Sequence, residues 1–593
     1  MTSSSRKLPW QMMVAAVVLL PIAAQADGLL RIGLQLHNEP QTNRPCTPTG
    51  QQDYLSTCLV MDSLMTVFAR HGARITFEMG LGNALSTPIW GGPGVRGSAP
   101  YMVLHPEVIH IASHIHYPAD LVGFRDKFCP PYLEDNLAEA SLTFAQYALS
   151  ADRRHDTMAA VTGQQVRGVC GLWSRSSSLR WEPALSAAGY QWVTGWNNMH
   201  PPGGSTGGHA WATSVNPWRV GHDLTNDYRG GVLDSDAGGA MVLLPDGAVS
   251  GRMNPNEGVS FALVDSLMRE NWLAGDPERI NVCYLTVHDY EFKSGAGIDY
   301  AEFSAWDALL TMLDGMVASG QAVYQTMDEM YQDFLAWEAE GNISYPHNGT
   351  FETRDTVETW TSPDGHEEIL EFNLCWAPLA GPPSAGDGQD AIHHRHGRLA
   401  YRFGSDATLR GIGPSAEGKH IYCVVPPDTT LEFRVWCRGE GAAQPLLGMR
   451  WYAGADTTAG TPHLLEVTGA SVDSVAGDWS LVTLRAAVPA NATALRTCLY
   501  KSGSGALWYD DANLRYVSRS PAAPVLSIQA LNAAQIQLHW TSIAEAIGYK
   551  VYYDTSAQGS FQNCITIAAP DTSALLDVTE SPFMFYKVVA VAP

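Results

Sequence analysis

The run Leu29 to Leu36, LLRIGLQL, is nearly all apolar and stops abruptly at His37-Asn38-Glu39-Pro40. A short apolar run closed by a turn residue reads as a buried strand. Leu55 to His71 then places apolar residues at helical spacing, Gly72 closes the helix, and Ala73 to Phe77 starts a second strand that ends at Glu78. The next strand, VIHIASHIHYP over 108–118, alternates so that His110, Ala112, His114 and His116 share one face. Three imidazoles on one face make a candidate site, since imidazole is the commonest metal ligand and proton shuttle.

The alternation continues with a helix over 136–152, a strand over 168–172, a helix over 182–188 and a strand over 191–195. A helix over 258–273 then precedes the strand INVCYLTV, which ends in His288-Asp289-Tyr290-Glu291, and a helix over 300–319, the strand QAVYQT and a helix ending near 340 complete the region. Strands that alternate with helices predict a parallel sheet, and in such folds chemistry sits at the carboxyl ends of the strands. His37, Glu39, the third-strand histidines and the group 288–291 all fall at that end. Residues 197–256, Gly-rich and containing Trp211, Trp218, Asp223, Asp227 and Tyr228, read as loops above it.

Beyond Glu340 the pattern changes to short alternating strands up to Tyr516, an all-β module over 345–516 whose pattern calls for no strand from elsewhere in the chain. A linker over 517–524, containing Pro521 and Pro524, leads to residues 525–593, with Trp540, Tyr549, Tyr552 and Tyr586 on further alternating strands. Three or four domains suit 593 residues at roughly 150 residues per domain.

Composition narrows the function. Arg6 and Lys7, the apolar run from Met12 to Ala24 and the sequence Ala24-Gln25-Ala26 give residues 1–26 the form of a signal peptide. No second long apolar stretch follows, so the expected mature chain has no transmembrane segment and is secreted, periplasmic or extracellular. Sixty acidic against 36 basic residues, a net charge of −24, exclude a nucleic-acid partner, whose phosphates need Lys and Arg. A neutral ligand fits better, and 18 Trp, 23 Tyr and 16 Phe supply faces that suit sugars, although most such rings belong in cores. Ten cysteines lack zinc-finger spacing; Cys46 and Cys58 are the pair expected to bridge.

The segments FARHGARITFE, IASHIHYP, WSRSSSLRWEPALSAAGYQWVTGW and YLTVHDYEF follow one another in the order of the motifs of the polysaccharide deacetylase family, which residues 27–340 resemble. The resemblance implies a distorted parallel (β/α) barrel, a divalent metal on one Asp and two His, an Asp base and a late-strand His acid. His114 matches the first metal histidine, Arg175 the arginine of the third motif and His288 the late-strand histidine. The first motif departs from the family, with His37-Asn38-Glu39 where paired aspartates are usual, and Pro118 stands where the second metal histidine is usual, leaving His116 to substitute. His37-x-Glu39 resembles the zinc-binding His-x-Asp of related barrel α-mannosidases. Residues 345–516, through NGTFE, TTLEFRVWCRG, DWSLVTLRAAVPANATALRTCLY and ALWYDDANLRYV, resemble a jelly-roll carbohydrate-binding module. In it Trp360, Trp376, Trp451 and Trp508 are platform or core residues, and Asp510 and Asp511 match residues that help hold a structural calcium. Residues 525–593, through IQLHW, GYKVYYDTS and FYKVVAVAP, resemble a fibronectin type III domain.

The expected fold class is therefore multidomain: a distorted α/β barrel, an all-β jelly-roll sandwich and an all-β fibronectin type III sandwich. The expected function is metal-dependent deacetylation of a polysaccharide or glycan, with Glu39, His288, Arg175 and Asp289 catalytic and His37, Glu39, His114 and His116 on a divalent metal, zinc first. Two other readings stand beside it. One is a glycoside hydrolase using Glu39, Glu78, Asp289 or Glu291 as its carboxylate pair. The other is a binding protein whose barrel has lost catalysis.

Overall fold

The computed structural model describes residues 28–38, 50–114, 144–170, 181–194, 215–219, 235–245, 247, 261–294, 297–346, 348–352, 356–361, 367–372, 376–416, 419–427, 429–453, 463–472, 475, 477–518, 524–532, 535–543, 546, 548–554, 563–577 and 585–591. The chain is multidomain, with an α/β region first and a strand-rich remainder.

In the α/β region the apolar runs become β1 (Leu30–His37), β2 (Ile75–Met79), β3 (Ile109–His114), β4 (Gly168–Cys170), β5 (Trp192–Thr194), β6 (Trp218–Arg219), β7 (Ser235–Asp236), β8 (Val242–Leu244) and β9 (Asn281–His288). β9, β1, β2, β3, β4, β5 and β8 pair in that order, each parallel to the next, while β6 runs antiparallel beside β8. Strand Ala322–Tyr324 adds in parallel to the amino half of β1. The short β8 falls in the stretch expected to be loop. Its three residues, hemmed by Gly-rich sequence, are too few to show a period.

Alternation along β1 sorts its residues between two faces. Leu30, Ile32, Leu34 and Leu36 join an apolar layer with Leu64 and Phe68 of helix Gly50–Arg70 and Trp306 and Leu310 of helix Tyr300–Ala318. Gly33, Gln35 and His37 take the other face. There helix Met327–Ala339 brings Met327, Met330, Tyr331 and Phe334 against Trp192, Val242, Val282 and Tyr284. A Cβ on Gly33 would meet Met327 Cε at 2.7 Å and Met330 Cε at 2.9 Å, so the two flexible methionine tips fill the space above that glycine. The sheet is strongly curled: the Gln35 amide on β1 donates to Thr194 Oγ1 on β5 at 2.8 Å, across three intervening strands. The gap beside β9 is lined by residues 215–216, where the Val282 N–H donates to Val215 O at 2.7 Å.

His71 ties two of the helices. Its Nδ1 lies 2.7 Å from Asp314 and its Nε2 3.0 Å from Asp307. Partial burial disfavours the imidazolium, but the two carboxylates outweigh it and raise the pKa above the ordinary 6.5. The stabilisation is therefore complete below the unfolded value and lost as pH rises through the folded one. Wild type should exceed His71→Asn in unfolding midpoint by more at about pH 6 than at about pH 9, whereas equal gaps at both would contradict this linkage.

The strand-rich remainder begins with two sheets face to face. One orders strands 388–390, 400–403, 507–518, 430–439 and 480–487. The other contains strands 376–380, 410–416, 494–502, 444–452 and 465–469. Leu431, Phe433 and Val435 from the first meet Leu447, Met449, Trp451 and Leu499 from the second in one apolar layer. Trp376, Trp451 and Trp508 are 6%, 0% and 1% exposed, so these three are core and cannot form the sugar platform considered for them. The last segment forms two three-stranded sheets around Leu538, Trp540, Tyr549, Val551 and Val588.

Sequence pattern suggested that 345–516 needs no outside strand, and here the structure differs. β7 pairs in parallel with Cys423–Val424, and Asn342–Ile343 pairs with Leu514–Arg515. Cys58, expected to bridge Cys46, is a buried free thiol, and Cys46 lies outside the described residues. Among the described residues no helix is long and apolar enough to cross a membrane.

Candidate metal centre

Parallel register brings the carboxyl ends of five strands together. His37 stands opposite Glu78 on one side and His288 on the other, and His114 stands opposite Cys170. The curl of the sheet closes the remaining distance. One donor atom each from His37, Glu78, His114 and Cys170 lies within 4.8 Å of the others, and all four residues are buried.

Glu78 is the hub. Its Oε1 accepts from the Gln35 amide and, at 3.1 Å, from Thr194 Oγ1. Its Oε2 lies 3.2 Å from His37 Nε2 and 3.5 Å from His114 Nδ1, outside good hydrogen-bond geometry in both cases. Cys170 Sγ is 3.3 Å from His37 Nε2. The His37 and His114 rings are 4.5 Å apart between centroids, and the His288 ring is 5.2 Å from that of His37.

Burial by itself would raise the Glu78 pKa, but His37 and His114 bring it down to about 2. Burial lowers His37 even beside that carboxylate, and burial followed by the Glu78 charge raises Cys170 well above its ordinary range. The direction that stands is an ionised Glu78, held so by the two imidazoles, which places a negative charge away from water. Burying such a charge is costly unless a cation joins it. Two imidazoles, one carboxylate and one sulfur form a donor set suited to zinc and poorly suited to magnesium or calcium.

The expected site residues divide into three groups. His37 and His114 are in the cluster and His288 is beside it. Glu39, His116 and Arg175 lie outside the described residues. His110, on the same face of β3, is four residues from His114 and thus about 13 Å away along the strand. It packs near Trp192 with ring centroids 6.4 Å apart and cannot join the other imidazoles. Asp289, wholly buried, accepts from Asn38 Nδ2 at 2.8 Å, Thr57 Oγ1 at 3.0 Å and Lys293 Nζ at 2.8 Å. His288 Nδ1 lies 2.8 Å from Glu291 Oε1, and because a carboxylate only accepts, Nδ1 carries the proton of that bond. Glu78 and Cys170 were not among the expected ligands. Their signal was position, since Glu78 is the last but one residue of β2 and Cys170 the last of β4.

A second group of buried acids lies in the sandwich. Glu352 Oε1 accepts from the N–H groups of Arg398 and Leu399 at 2.6 and 2.7 Å, and Asp511 Oδ2 accepts from His396 Nδ1 at 2.7 Å. Glu352 Oε2 and Asp511 Oδ1 are buried and accept no hydrogen bond from the described residues. Burial pushes Glu352 up to about 8 and, together with Asp511, raises Asp510 well above the carboxylate range. Both acids also face protein cations: Arg398 Nε lies 3.8 Å from Glu352 Oε2, and Arg395 pairs with Asp511.

No protein-family model and no curated sequence matches the chain. Solved structures similar to it include a protein described as a polysaccharide deacetylase from Mycobacterium smegmatis, 12% identical, over 54% of this chain and 94% of that one, with a TM-score of 0.33. T48 deacetylase with substrate is similar at 10% identity over 51% of this chain and 91% of that one, with a TM-score of 0.25. The CBM22-1 and GH10 modules of a Clostridium thermocellum endo-1,4-beta-D-xylanase, complexed with xylohexaose, are similar at 12% identity over 25% of this chain, with a TM-score of 0.19. The chain spans 27% of that xylanase structure. The chain is thus similar to polysaccharide deacetylases over about half its length and to carbohydrate-binding modules over about a quarter.

Proposed function

We propose that this is a secreted carbohydrate-active hydrolase that removes acetyl groups from a polysaccharide or glycan, with a divalent metal, zinc first, on His37, Glu78, His114 and Cys170. The observation that carries the reading is the convergence of those four buried donors beside His288 at one end of a parallel sheet. The metal, when bound, supplies Lewis acidity toward an acyl carbonyl. His288 donates a proton to the leaving sugar oxygen through Nε2, because Glu291 engages Nδ1 and leaves Nε2 facing the cluster side of the ring. Glu39 remains the proposed base and Arg175 a proposed substrate contact. Asp289 acts by position: it fixes the amide of Asn38, the residue before Glu39, and the Asn38 N–H donates to Glu78 O at 3.0 Å.

The proposed organisation is a signal peptide over 1–26, a barrel over 27–340, a jelly-roll carbohydrate-binding module over 345–516 with a structural calcium at Asp510 and Asp511, a linker over 517–524 and a fibronectin type III domain over 525–593. The glycosidase reading fares less well, since Glu78 is engaged by Gln35, Thr194 and two histidines, Asp289 by three donors, and Glu291 by His288.

One observation favours a second reading. Four protein donors make a closed site, as structural zinc has, whereas a catalytic zinc keeps a position open. Under that reading the α/β region is a metal-braced scaffold for glycan binding. Acetate release from acetylated glycans by Cys170→Ala decides between them. The hydrolase keeps its metal on three ligands and stays within about 100-fold of wild-type activity, the upper end of what outer-shell changes cost. A variant that sheds the metal, from a wild type that releases no acetate, leaves the scaffold reading.

A further inference from the structure

The outer face of the second sheet of the sandwich carries two like charges side by side. Arg450 and Arg496 pair directly across strands 444–452 and 494–502, so both side chains leave the face opposite to the apolar layer of Met449, Trp451, Leu495 and Leu499. Glu466, on strand 465–469, pairs with Arg450 from the other side and completes a row of one acid and two bases. That acid is already engaged. Its Oε2 lies 3.2 Å from Arg450 Nε, and its Oε1 accepts from the Tyr500 hydroxyl, which in turn accepts from Arg450 Nη2 at 2.9 Å. Arg496 has no carboxylate partner among the described residues: its Nε donates to Pro414 O at 2.9 Å, and its Nη1 is buried with no hydrogen-bond partner. At 1% exposure it is a guanidinium held out of water without a counter-ion.

The strands beneath are shaped for these side chains. Gly413 presents only backbone to the flat of the Arg496 guanidinium, where a Cβ would stand 3.1 Å from Cζ, Nε and Nη2 alike. Gly411 and Gly448 do the same for the Tyr500 ring, which a Cβ would meet at 2.3 and 2.8 Å. Laid flat on Gly413 and tied at Nε, Arg496 keeps its Nη edge, a planar fork that matches a carboxylate. The opening lies toward Arg450 and Glu466, whose side chains are 18% and 20% exposed. No other anion is supplied from within: burial holds the neighbouring Cys498 thiol at about 11 and raises the Tyr452 phenol against the pull of Arg496. Burial, followed by the charges of Arg496 and Arg450, lowers His420 to about 4, which leaves that imidazole neutral. In a chain of net charge −24, this pocket therefore holds two fixed positive charges against one negative, an arrangement that is unfavourable until an anion joins it.

We propose that this pocket binds a carboxylate, gripped by the Nη edge of Arg496 and flanked by Arg450, so that the sandwich selects an anionic ligand over a neutral sugar. The site is independent of acetyl release by the α/β region. A uronate residue of a glycan and a free small carboxylate share the chemistry, and the test separates them. Full-length protein is titrated calorimetrically with a galacturonate trimer, the matching neutral galactose trimer, monomeric galacturonate and acetate. The charged trimer should bind at least about 30-fold more tightly than the neutral one, and more weakly as salt rises. Arg496→Met should lose at least about 30-fold in that affinity, yet melt no lower than wild type without ligand, because a buried unpaired charge is removed. Glu466→Gln should tighten binding by about fivefold, since it frees Arg450 for the ligand, and it keeps the test decisive if Arg496→Met does not fold. Tighter binding of the charged trimer than of the monomer and acetate supports the site with a glycan uronate as its ligand, and equal binding of all three carboxylates supports it with a free one. Equal affinity for the charged and neutral trimers overturns the proposal, as does a wild type that binds no carboxylate. Unchanged affinity in folded Arg496→Met, or unchanged or weaker affinity in Glu466→Gln, overturns it as well.

Discussion

Glu78→Gln should leave a folded protein that holds zinc at least about 100-fold more weakly than wild type, the upper end of what losing an outer-shell partner costs, because here a charged ligand is lost. The substitution keeps the shape of the side chain and its contact with Thr194 while deleting the one buried negative charge that the site presents to a cation. Its effect on the stripped protein should run the other way. An ionised carboxylate buried without a cation is destabilising, so stripped Glu78→Gln should melt no lower than stripped wild type. Zinc should then raise the melting point of wild type alone, since a ligand stabilises only the state that binds it. Thermal melts of both proteins with and without zinc check this, and equal zinc-induced shifts would refute the assignment of Glu78 as a ligand.

His288→Ala should lower acetate release by about 10²- to 10⁴-fold while leaving zinc content unchanged, the loss typical of a positioned acid. The residue lies beside the metal cluster without being one of its four donors. Glu291→Gln provides the finer test. Losing the carboxylate from His288 Nδ1 weakens the hold on the ring, so activity should fall with zinc content unchanged. Unchanged rates in both variants, with zinc bound, would remove His288 from the mechanism.

Much of the α/β sheet was legible because β1, β2, β3 and β9 are long or cleanly alternating apolar runs, and parity then places their last residues at one end. Parity also separates Asp289 from the four clustered donors. It adjoins His288 and therefore lies on the opposite side of the chain, toward Thr57 and Lys293. His110 has the correct parity but the wrong height, and only the strand rise per residue exposes that. Cys170 ends a three-residue strand too short to be given weight, and nothing in its spacing from His37 or His114 announces that the sheet curls enough to join them. The seam between the α/β region and the sandwich was illegible for the same reason. Arg279 meets Ala512 and Asn513 across 233 and 234 residues of sequence, and each of those residues is unremarkable in its own segment. The buried tryptophans were ambiguous between platform and core until burial placed Trp376, Trp451 and Trp508 inside.

The central claim is that His37, Glu78, His114 and Cys170 bind one divalent metal, and metal analysis of the purified full-length protein tests it most directly. After calcium is removed, the protein should hold one equivalent of zinc, and cobalt exchanged into the site should give a thiolate-to-cobalt charge-transfer band that Cys170→Ala abolishes. Wild-type protein that retains no zinc, cobalt or manganese after dialysis against each would contradict the claim.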